Sequence, residues 1–461
     1  MKIPLKFQSQ WQQSLAIPFL LIVAMNIAWF FLFPQVGAIV GAEPGTDGYA
    51  DIATSLIRGH GFIFSPGIRS TIEFGYMKRE PVYPLLLSIA LRLTGSLSPT
   101  ILCVLQTPLS LLSCYLIYHL GQKIFGASTG RLASFIYALH PLSFWYSPQF
   151  ASEIITVPVM LLCLSLIEGF FAEPTRMKAA QVGVCVGIAT LTKSACVLLL
   201  PVLLFFILLQ WHTKLRQLLS YVCIIVFLHA SILSVWLIRN YMISGEIVPF
   251  TTNSGGVFFI GNRVVEQFDI KTLTAEEPEA EVAAQALYRA VQAEIATRAP
   301  HMSLPRLEAQ TDKQLTAMAR HLVSDNPSFA VRKLLSGMCF IWFLSSTTAK
   351  SWGWMLCQMP LLALAVIGLY RRRQWDFRQC FLLCVVVAYI VPYALLLALA
   401  RYSMPIIPIV ILFASSGLVS LLKRDAHRAD MTCGEKKHAD SYMGFGIRWH
   451  SLCRMSGAAR T

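Results

Sequence analysis

Two stretches of this 461-residue sequence decide the fold, Leu15–Phe33 (LAIPFLLIVAMNIAWFFLF) and Phe381–Ala400 (FLLCVVVAYIVPYALLLALA). Each is close to the ~20 apolar residues that a helix needs to cross a hydrocarbon core. The whole chain is 56% hydrophobic and only 13% charged, whereas a soluble chain carries roughly a quarter charged residues. These features exclude a cytosolic enzyme, a secreted domain and a disordered chain.

Further apolar runs predict an all-α polytopic membrane protein with about ten transmembrane helices. The runs lie near residues 15–33, 100–119, 131–147, 152–171, 179–192, 195–211, 217–237, 355–370, 379–400 and 403–422. We divide 179–211 at Lys193, because one helix of that length would extend about 50 Å across a core of about 30 Å. Leu334–Ser346 is too short to span, so we predict an interfacial or re-entrant helix there.

The net charge of +14 indicates membrane orientation, since loops rich in Lys and Arg stay on the cytoplasmic side. This rule places both termini in the cytoplasm of a multi-pass inner (plasma) membrane protein. The basic groups concerned are Lys2/Lys6, Lys123/Arg131, Arg176/Lys178, Lys214/Arg216, Arg371–Arg373 with Arg378, and the tail after Leu422. The charge therefore favours contact with anionic membrane lipids and indicates no nucleic-acid partner.

The same topology divides the chain into four regions, two of which carry extracytoplasmic loops. The predicted regions are a membrane core over 1–237 with a first loop over 34–99, an extracytoplasmic loop over 238–350, membrane helices over 351–422, and a cytosolic basic tail over 423–461. Two stretches of the second loop, Glu279–Arg298 and Leu307–Val323, show the spacing of amphipathic helices. Glu168, at the opposite end of its helix from this side, is expected to be solvated.

The first loop begins with a polar stretch, Gly45-Thr46-Asp47-Gly48-Tyr49-Ala50-Asp51. The spacing predicts a helix from Tyr49, so Asp47 and Asp51 lie one turn apart. A carboxylate at this place suits a general base above the membrane. The alternative is that Asp47 only caps the helix N-terminus, a position that aspartate favours.

Other charged residues fall on the same predicted side. Lys78 and Arg79, beside a proline, suit a phosphate, or else they reach toward lipid headgroups. Glu153 begins a membrane helix, where an ionisable group indicates function or helix capping. Lys193, Arg239 and Arg401 lie at further helix ends, so together these groups suit a ligand that carries a phosphate and hydroxyl groups. His140, beside Pro141, is predicted to be a packed residue.

These motifs resemble the GT-C superfamily of membrane glycosyltransferases, in particular the bacterial branch related to protein O-mannosyltransferases and the lipid A aminoarabinose transferase. In the first half of the chain the resemblance is carried by Asp47-x-Tyr49, Gly59-His60-Gly61-Phe62, Arg79-Glu80-Pro81-Val82-Tyr83-Pro84, Ser152-Glu153 and Gly187–Lys193. In the second half it is carried by Ile238-Arg239-Asn240-Tyr241, Asn253-Ser254-Gly255-Gly256 and Ala400–Pro405.

The resemblance implies transfer of a sugar from a polyprenyl-phosphate donor to a lipid, glycan or protein acceptor outside the cytoplasm. It implies Asp47 as the base and Glu153 as an orienting group. It also implies donor-phosphate contacts from Arg79, Lys78, Lys193 and Arg401, and a substrate loop that includes Tyr49, Asp51 and Arg239. Relatives often carry Lys before Pro-Pro where this chain has Arg79-Glu80-Pro81. No cofactor is required, although a divalent metal ion at the carboxylates stays open.

Two other functions are compatible with a chain that crosses the membrane many times. A membrane transporter would often show paired halves, and the sequence shows no internal repeat. A lipid-linked oligosaccharide polymerase or ligase is also many-spanning with a large extracytoplasmic loop, but the acidic motif directly after the first helix argues against it. A glycosyltransferase of hexosyl or pentosyl type is therefore the favoured prediction.

Overall fold

The computed structural model describes residues 5–40, 48–63, 75–268, 277–371 and 375–422. Its regular secondary structure is helical throughout these ranges, as predicted. Asp47, the basic tail and the basic residues Lys2, Arg372 and Arg373 lie outside the described residues.

Sixteen helices follow one another along the described chain. They are α1 (Leu5–Val40), α2 (Tyr49–Ile57), α3 (Val82–Thr94), α4 (Pro99–Phe125), α5 (Ala127–Leu139), α6 (Glu153–Ala172), α7 (Arg176–Thr192), α8 (Leu199–Trp211), α9 (Leu215–Ser244), α10 (Ser254–Gln267), α11 (Glu277–Arg298), α12 (Leu304–Ser324), α13 (Pro327–Phe340), α14 (Thr348–Tyr370), α15 (Phe377–Leu395) and α16 (Ile407–Leu422). Short 3₁₀ turns occupy Pro141–Ser143, Ser194–Leu198 and Ala400–Ser403.

Seven helical segments in the described ranges are long and apolar enough to cross a membrane. They are Leu15–Leu32, Pro99–Phe125, Glu153–Ala172, Ser194–Trp211, Leu215–Ser244, Thr348–Tyr370 and Phe377–Leu395. The other three predicted spans coincide with the shorter helices α5, α7 and α16. The prediction of a polytopic helical membrane protein is confirmed.

The helix predicted over 131–147 ends early, because Leu139 is the last residue of α5. His140 has an extended backbone with ψ of 138°, which is the conformation favoured by the residue before a proline. Pro141 then begins a 3₁₀ turn, and the His140 ring nitrogen Nδ1 accepts a hydrogen bond from the Leu142 amide. His140 is buried, as its predicted packing role requires.

The boundaries predicted for the helix at Leu334–Ser346 are wrong, since α13 covers Pro327–Phe340. Asn326 explains the early start, because its side chain accepts a hydrogen bond from the Phe329 amide and caps the helix. Gly337 lies directly against the backbone of Ala394 in α15, and an added Cβ would meet it. The glycine thus allows α13 to pack closely on a membrane helix.

Glu168 is buried, which contradicts the expectation that this residue is solvated. Its carboxylate lies 3.1 Å from Lys123 Nζ and 2.9 Å from an Arg378 guanidinium nitrogen. The two cations keep part of their side chains in contact with solvent. Glu168 therefore joins α4, α6 and α15 at the end of the bundle predicted to face the cytoplasm.

The predicted break between α7 and α8 is present at Lys193, whose backbone is extended with φ of −151° and ψ of 118°. The main core lies around this break and includes residues of α4 to α9, α15 and α16. The break lies next to the first turn of α6 in space. The side chain of Lys193 therefore reaches the start of α6.

Candidate active site

A cavity of about 390 Å³ lies where the first loop, the α7–α8 break, the α15–α16 connection and helices α10 to α12 meet. Its volume falls in the range of small-molecule sites, about 300–1,000 Å³. The charged residues of its lining are Lys78, Arg79, Lys193, Arg289, Arg401, Glu80, Glu153 and Asp312. Five cations and three carboxylates thus face one space, as a phosphate-bearing ligand would require.

Lys193 and Glu153 form a buried ion pair at the cavity. Lys193 Nζ lies 3.0 Å from Glu153 Oε1 and 3.3 Å from Ser152 Oγ. The two side chains are only 14% and 7% exposed. Burial lowers the pKa of Lys193, but Glu153 and the other acidic groups nearby, Glu80 among them, together outweigh this effect and hold the pKa well above its usual range. Lys193 therefore presents a permanent positive charge.

Tyr49, the first residue of α2, connects the first loop to the same ion pair. Its hydroxyl donates to Ser152 Oγ over 3.0 Å, and its ring packs edge-on against Tyr83 at 5.0 Å. Burial raises the pKa of Tyr49 to about 12, so the phenol stays neutral. Gly48 before it has φ of 77°, a conformation that suits glycine.

The structure describes one of the two carboxylates predicted for the first loop. Asp47 lies outside the described residues, two positions before Tyr49. Asp51 lies in the first turn of α2, half-buried, and burial raises the pKa of its carboxyl. Asp51 does not line the cavity.

Lys78 and Arg79 both line the cavity, in different settings. Lys78 is buried, with Nζ 3.2 Å from the carbonyl of Thr252 and 4.2 Å from the centre of the Tyr288 ring. The Arg79 guanidinium lies 5.4 Å from the centre of the Tyr49 ring. Lys78 thus ties the first loop to the second one, while Arg79 lies near Tyr49 at the start of α2.

Arg401 approaches from the 3₁₀ turn before α16. Its guanidinium donates to the Tyr402 hydroxyl over 2.9 Å and lies 4.9 Å from the centre of that ring. Lys193 Nζ is 5.5 Å from the centre of the same ring. The Tyr402 ring therefore brings together two cations that lie more than 200 positions apart in the sequence.

Arg239 does not line the cavity. Its guanidinium donates to the carbonyls of Tyr76 (2.6 Å) and Phe62 (3.0 Å), and it lies 4.8 Å from the centre of the Trp236 ring. These contacts hold Phe62 and Tyr76, two residues of the first loop, against α9. The structure thus gives Arg239 a role in positioning the loop.

Several residues of the site could not be identified from the sequence. Glu80 accepts a hydrogen bond from the Ser194 amide over 2.9 Å. Asp312 of α12 accepts from the Gly255 amide and the Ser254 hydroxyl, each over 2.8 Å, and burial raises the pKa of its carboxyl. Nothing local to α12 in the sequence indicated that Asp312 would face this cavity.

The carboxylates of the cavity already have partners in the protein. Glu153 pairs with Lys193, Glu80 binds an amide, and Asp312 binds an amide and a hydroxyl. In the part of the chain that the structure describes, no three His, Cys, Asp or Glu side chains cluster as a metal site. The described lining carries five cations and three carboxylates.

A family model matches residues 78–238, that of the dolichyl-phosphate-mannose-protein mannosyltransferases. The matched segment contains Lys78, Arg79, Glu153 and Lys193, and covers about a third of the chain. No curated protein sequence matches the chain at a significant level.

Solved structures of one archaeal protein share the fold, and a bacterial one is less similar. The oligosaccharyltransferase of Archaeoglobus fulgidus in its apo form is 13% identical, with 93% of this chain and 52% of that chain covered and a TM-score of 0.54. The same protein in complex with Zn and sulfate gives 12% identity, 90% and 50% coverage, and a TM-score of 0.52. ArnT from Cupriavidus metallidurans bound to undecaprenyl phosphate is 14% identical over 85% of this chain and 77% of that chain, with a TM-score of only 0.39.

The family match and the shared fold confirm the resemblance to GT-C membrane glycosyltransferases. The chain spans about half the length of the archaeal oligosaccharyltransferase that it resembles.

Proposed function

We propose that the protein is an inverting glycosyltransferase, which moves a hexose or pentose from a polyprenyl-phosphate donor to an extracytoplasmic acceptor in cell envelope glycosylation. The observation that carries this proposal is the convergence of Arg79, Lys193 and Arg401 on one cavity beside the start of α2. The description of the matched family, which names a dolichyl-phosphate sugar, supports a lipid-phosphate donor.

In the proposed reaction, an acceptor hydroxyl attacks the anomeric carbon of the donor sugar. The new bond joins the acceptor oxygen to that carbon, and the bond between the carbon and the phosphate oxygen breaks. Asp47 takes the proton of the hydroxyl as general base, and the polyprenyl phosphate leaves with the bonding electron pair. Attack opposite to the departing phosphate inverts the anomeric centre.

The cations of the cavity stabilise the charge that develops on the departing phosphate. Arg79 and Arg401 offer planar guanidinium groups that suit phosphate oxygens, and Lys193 adds a charge that Glu153 holds in place. Lys78 contributes positive charge while it joins the two loops. Tyr49, Asp51 and Arg239 shape the loop that carries Asp47.

A monophosphate leaving group can be stabilised by these cations without a metal ion. The archaeal oligosaccharyltransferase has been solved in complex with Zn, and a divalent metal ion at the carboxylates is the alternative. Transfer measured after treatment with a chelator decides between the two cases.

The proposed setting is the inner (plasma) membrane, with both termini in the cytoplasm and the cavity on the outer side. The concentration of Lys and Arg on the predicted cytoplasmic segments supports this orientation. The proposed acceptor is a lipid, a glycan or a protein.

The direct test uses purified protein in detergent with a radiolabelled polyprenyl-phosphate sugar and an extract of the cell envelope as acceptor. We expect label to pass to the extract and polyprenyl phosphate to be released in equal amount. The double variant Lys193→Met/Arg401→Met should bind polyprenyl phosphate much more weakly than the wild type. Failure of the wild type to bind the lipid phosphate or to release it with any extract would refute the proposal.

A further inference from the structure

The segment just before Lys78 is held by a carboxylate of the second loop, that of Glu308 in α12. One oxygen of Glu308 accepts a hydrogen bond from the Tyr76 amide over 2.6 Å, and the other accepts one from the Met77 amide over 3.3 Å. The second oxygen also accepts from the Thr252 hydroxyl. Glu308, Met77 and Thr252 are each at most 2% exposed, so these hydrogen bonds are shielded from water.

Tyr76 is also held from its other side, by α9. Its carbonyl accepts a hydrogen bond from the Arg239 guanidinium over 2.6 Å, while its amide donates to Glu308. An anion therefore binds the amide and a cation binds the carbonyl of one residue, and hydrogen bonds to charged groups are about twice as strong as neutral ones. The backbone of Tyr76 is thus fixed between α9 and α12, two positions before Lys78.

This fixed backbone directs the side chain of Lys78. The Thr252 amide donates to the Met77 carbonyl over 2.8 Å, and the Thr252 carbonyl accepts from Lys78 Nζ over 3.2 Å. Gly75 adds a steric constraint, because an added Cβ at this position would overlap Lys78 Cγ. The side chain of Lys78 therefore passes over Gly75 and borders the cavity.

Glu308 is close to the cavity but does not line it. Only 1% of the residue is exposed, and both of its oxygens accept hydrogen bonds from the protein. A general base must come within hydrogen-bond reach of the proton that it takes, so the place of Glu308 does not suit that role. Its contacts concern the segment that leads into Lys78 and Arg79.

We propose that Glu308 is a positioning residue for the donor phosphate, because it fixes the Tyr76–Met77 backbone so that Lys78 and Arg79 present their charges to the cavity. This inference rests on the proposed function, which assigns Lys78 and Arg79 to the donor phosphate. It adds that affinity for the phosphate depends on the contact between α12, an element of the second loop, and the first loop.

The first test compares the binding of polyprenyl phosphate with that of polyprenol, the same lipid without the phosphate. Glu308→Ala removes the carboxylate that holds the amides of Tyr76 and Met77, and a buried amide that loses its partner is costly, so the segment shifts. We expect the Kd for polyprenyl phosphate to rise about tenfold and the Kd for polyprenol to stay within about twofold of the wild type.

The matched control is Thr311→Val, also in α12. Thr311 is buried, and its hydroxyl donates to the Leu307 carbonyl of the same helix. The variant therefore removes a buried polar group of α12 while the contact with the first loop remains. It should bind both lipids as the wild type does.

Two further variants keep the test decisive if Glu308→Ala does not fold. Glu308→Gln retains the size of the side chain but only one acceptor oxygen, so its Kd for polyprenyl phosphate should rise by about threefold. Gly75→Ala places a methyl group against the side chain of Lys78 and leaves Glu308 unchanged. It should also weaken binding of polyprenyl phosphate and leave that of polyprenol unaltered.

The inference is overturned if the Glu308 variants bind polyprenyl phosphate as the wild type does, or if they lose affinity for both lipids equally. The first result would leave Glu308 a role in folding stability alone, and the second would indicate general damage to the site. Wild-type affinity of Gly75→Ala for polyprenyl phosphate would also overturn it. Failure of the proposed function looks different, because the wild type would then bind polyprenyl phosphate no more tightly than polyprenol.

Discussion

Glu80 lies in the turn between Arg79 and α3, and its carboxylate binds the amide of Ser194. Ser194 begins the 3₁₀ turn after Lys193, where the first amides have no partner within the helix. Lys193, the N-cap of this turn, makes no capping hydrogen bond with its own side chain. Glu80 thus completes the α7–α8 break and positions Lys193.

We expect Glu80→Ala to raise the KM for the donor about tenfold, because Lys193 loses its fixed place when the amide hydrogen bond is lost. Glu80→Gln retains an oxygen that accepts the same hydrogen bond, so its KM should stay within about twofold of the wild type. Donor kinetics of both variants decide the matter. Equal losses in the two variants would show that the charge of Glu80, rather than its hydrogen bond, is what matters.

Lys333 is a buried lysine of α13 that bonds to Asn262 Oδ1 of α10. Its Nζ lies 4.4 Å from the centre of the Phe258 ring. Burial lowers the pKa of Lys333 to about 7, whereas an unfolded lysine has a pKa of about 10.4. Between these values the unfolded chain binds one more proton than the folded protein, so folding stability rises with pH through this window.

Lys333→Met removes this titration. We expect the Tm of the variant relative to the wild type to be highest near pH 7 and to fall as the pH approaches 10, because the free-energy cost of releasing the Lys333 proton on folding decreases in the wild type as the pH rises. The loss of the bond to Asn262 shifts the difference by a constant. Thermal unfolding followed by tryptophan fluorescence in detergent measures this trend, and a pH-independent difference would contradict it.

At this scale, the sequence predicted the residue types of the site better than their partners. Glu153, Lys193 and Arg401 reach the cavity, because each lies beside a helix end that the hydropathy pattern locates. Arg79 also reaches it, and was predicted from its place beside a proline in the first loop. Glu80 and Asp312 could not be predicted, since each acts on a backbone amide far away in the sequence. Arg239 shows the same limit, because its partners are carbonyls of a distant loop.

At the scale of elements, the ion-pair cluster of Glu168 links three helices whose apolar faces already pack together. Only 4% of the Glu168 side chain is exposed, whereas Glu173, which pairs with Lys178 at 2.8 Å, is 79% exposed. The two carboxylates lie five positions apart in the sequence and differ chiefly in burial.

We expect Glu168→Gln to lower stability by about 1–3 kcal/mol, because a buried charge-assisted hydrogen bond is lost from each of two partners. Glu173→Gln is the matched control and should leave stability close to that of the wild type, as exposed ion pairs contribute little. Thermal unfolding of both variants in the same detergent is the measurement. A larger effect at Glu173 would contradict the role assigned to Glu168.

Helices with a long amphipathic pattern could be predicted from the sequence. A helix whose position depends on tertiary contacts could not. The amphipathic stretches predicted at Glu279–Arg298 and Leu307–Val323 correspond to α11 and α12. In contrast, α10 lies in a region interpreted only as loop motifs. At Gly261, α10 packs against the backbone of Leu396, and an added Cβ would overlap the Leu396 carbonyl. No local sequence pattern predicts such a contact.

At the scale of the whole molecule, the proposed membrane orientation rests on the distribution of Lys and Arg. This orientation places the cavity among segments predicted to be extracytoplasmic. Asp325 lies in the turn after α12, and Thr213 lies in the turn between α8 and α9. In intact cells, a membrane-impermeant maleimide should label Asp325→Cys, and should label Thr213→Cys only after the membrane is opened. The reverse pattern would place the cavity in the cytoplasm and contradict the proposed use of an extracytoplasmic acceptor.

The central claim is that the carboxylate of Asp47 acts as the base for glycosyl transfer from a polyprenyl phosphate. The most direct measurement is the rate of label transfer by Asp47→Asn, beside Asp325→Asn as the matched control. General bases contribute about 10²–10⁴-fold to rates, so we predict that Asp47→Asn loses at least about 100-fold while it binds polyprenyl phosphate and unfolds as the wild type does. Transfer by Asp47→Asn at the rate of the wild type and of Asp325→Asn would contradict the claim.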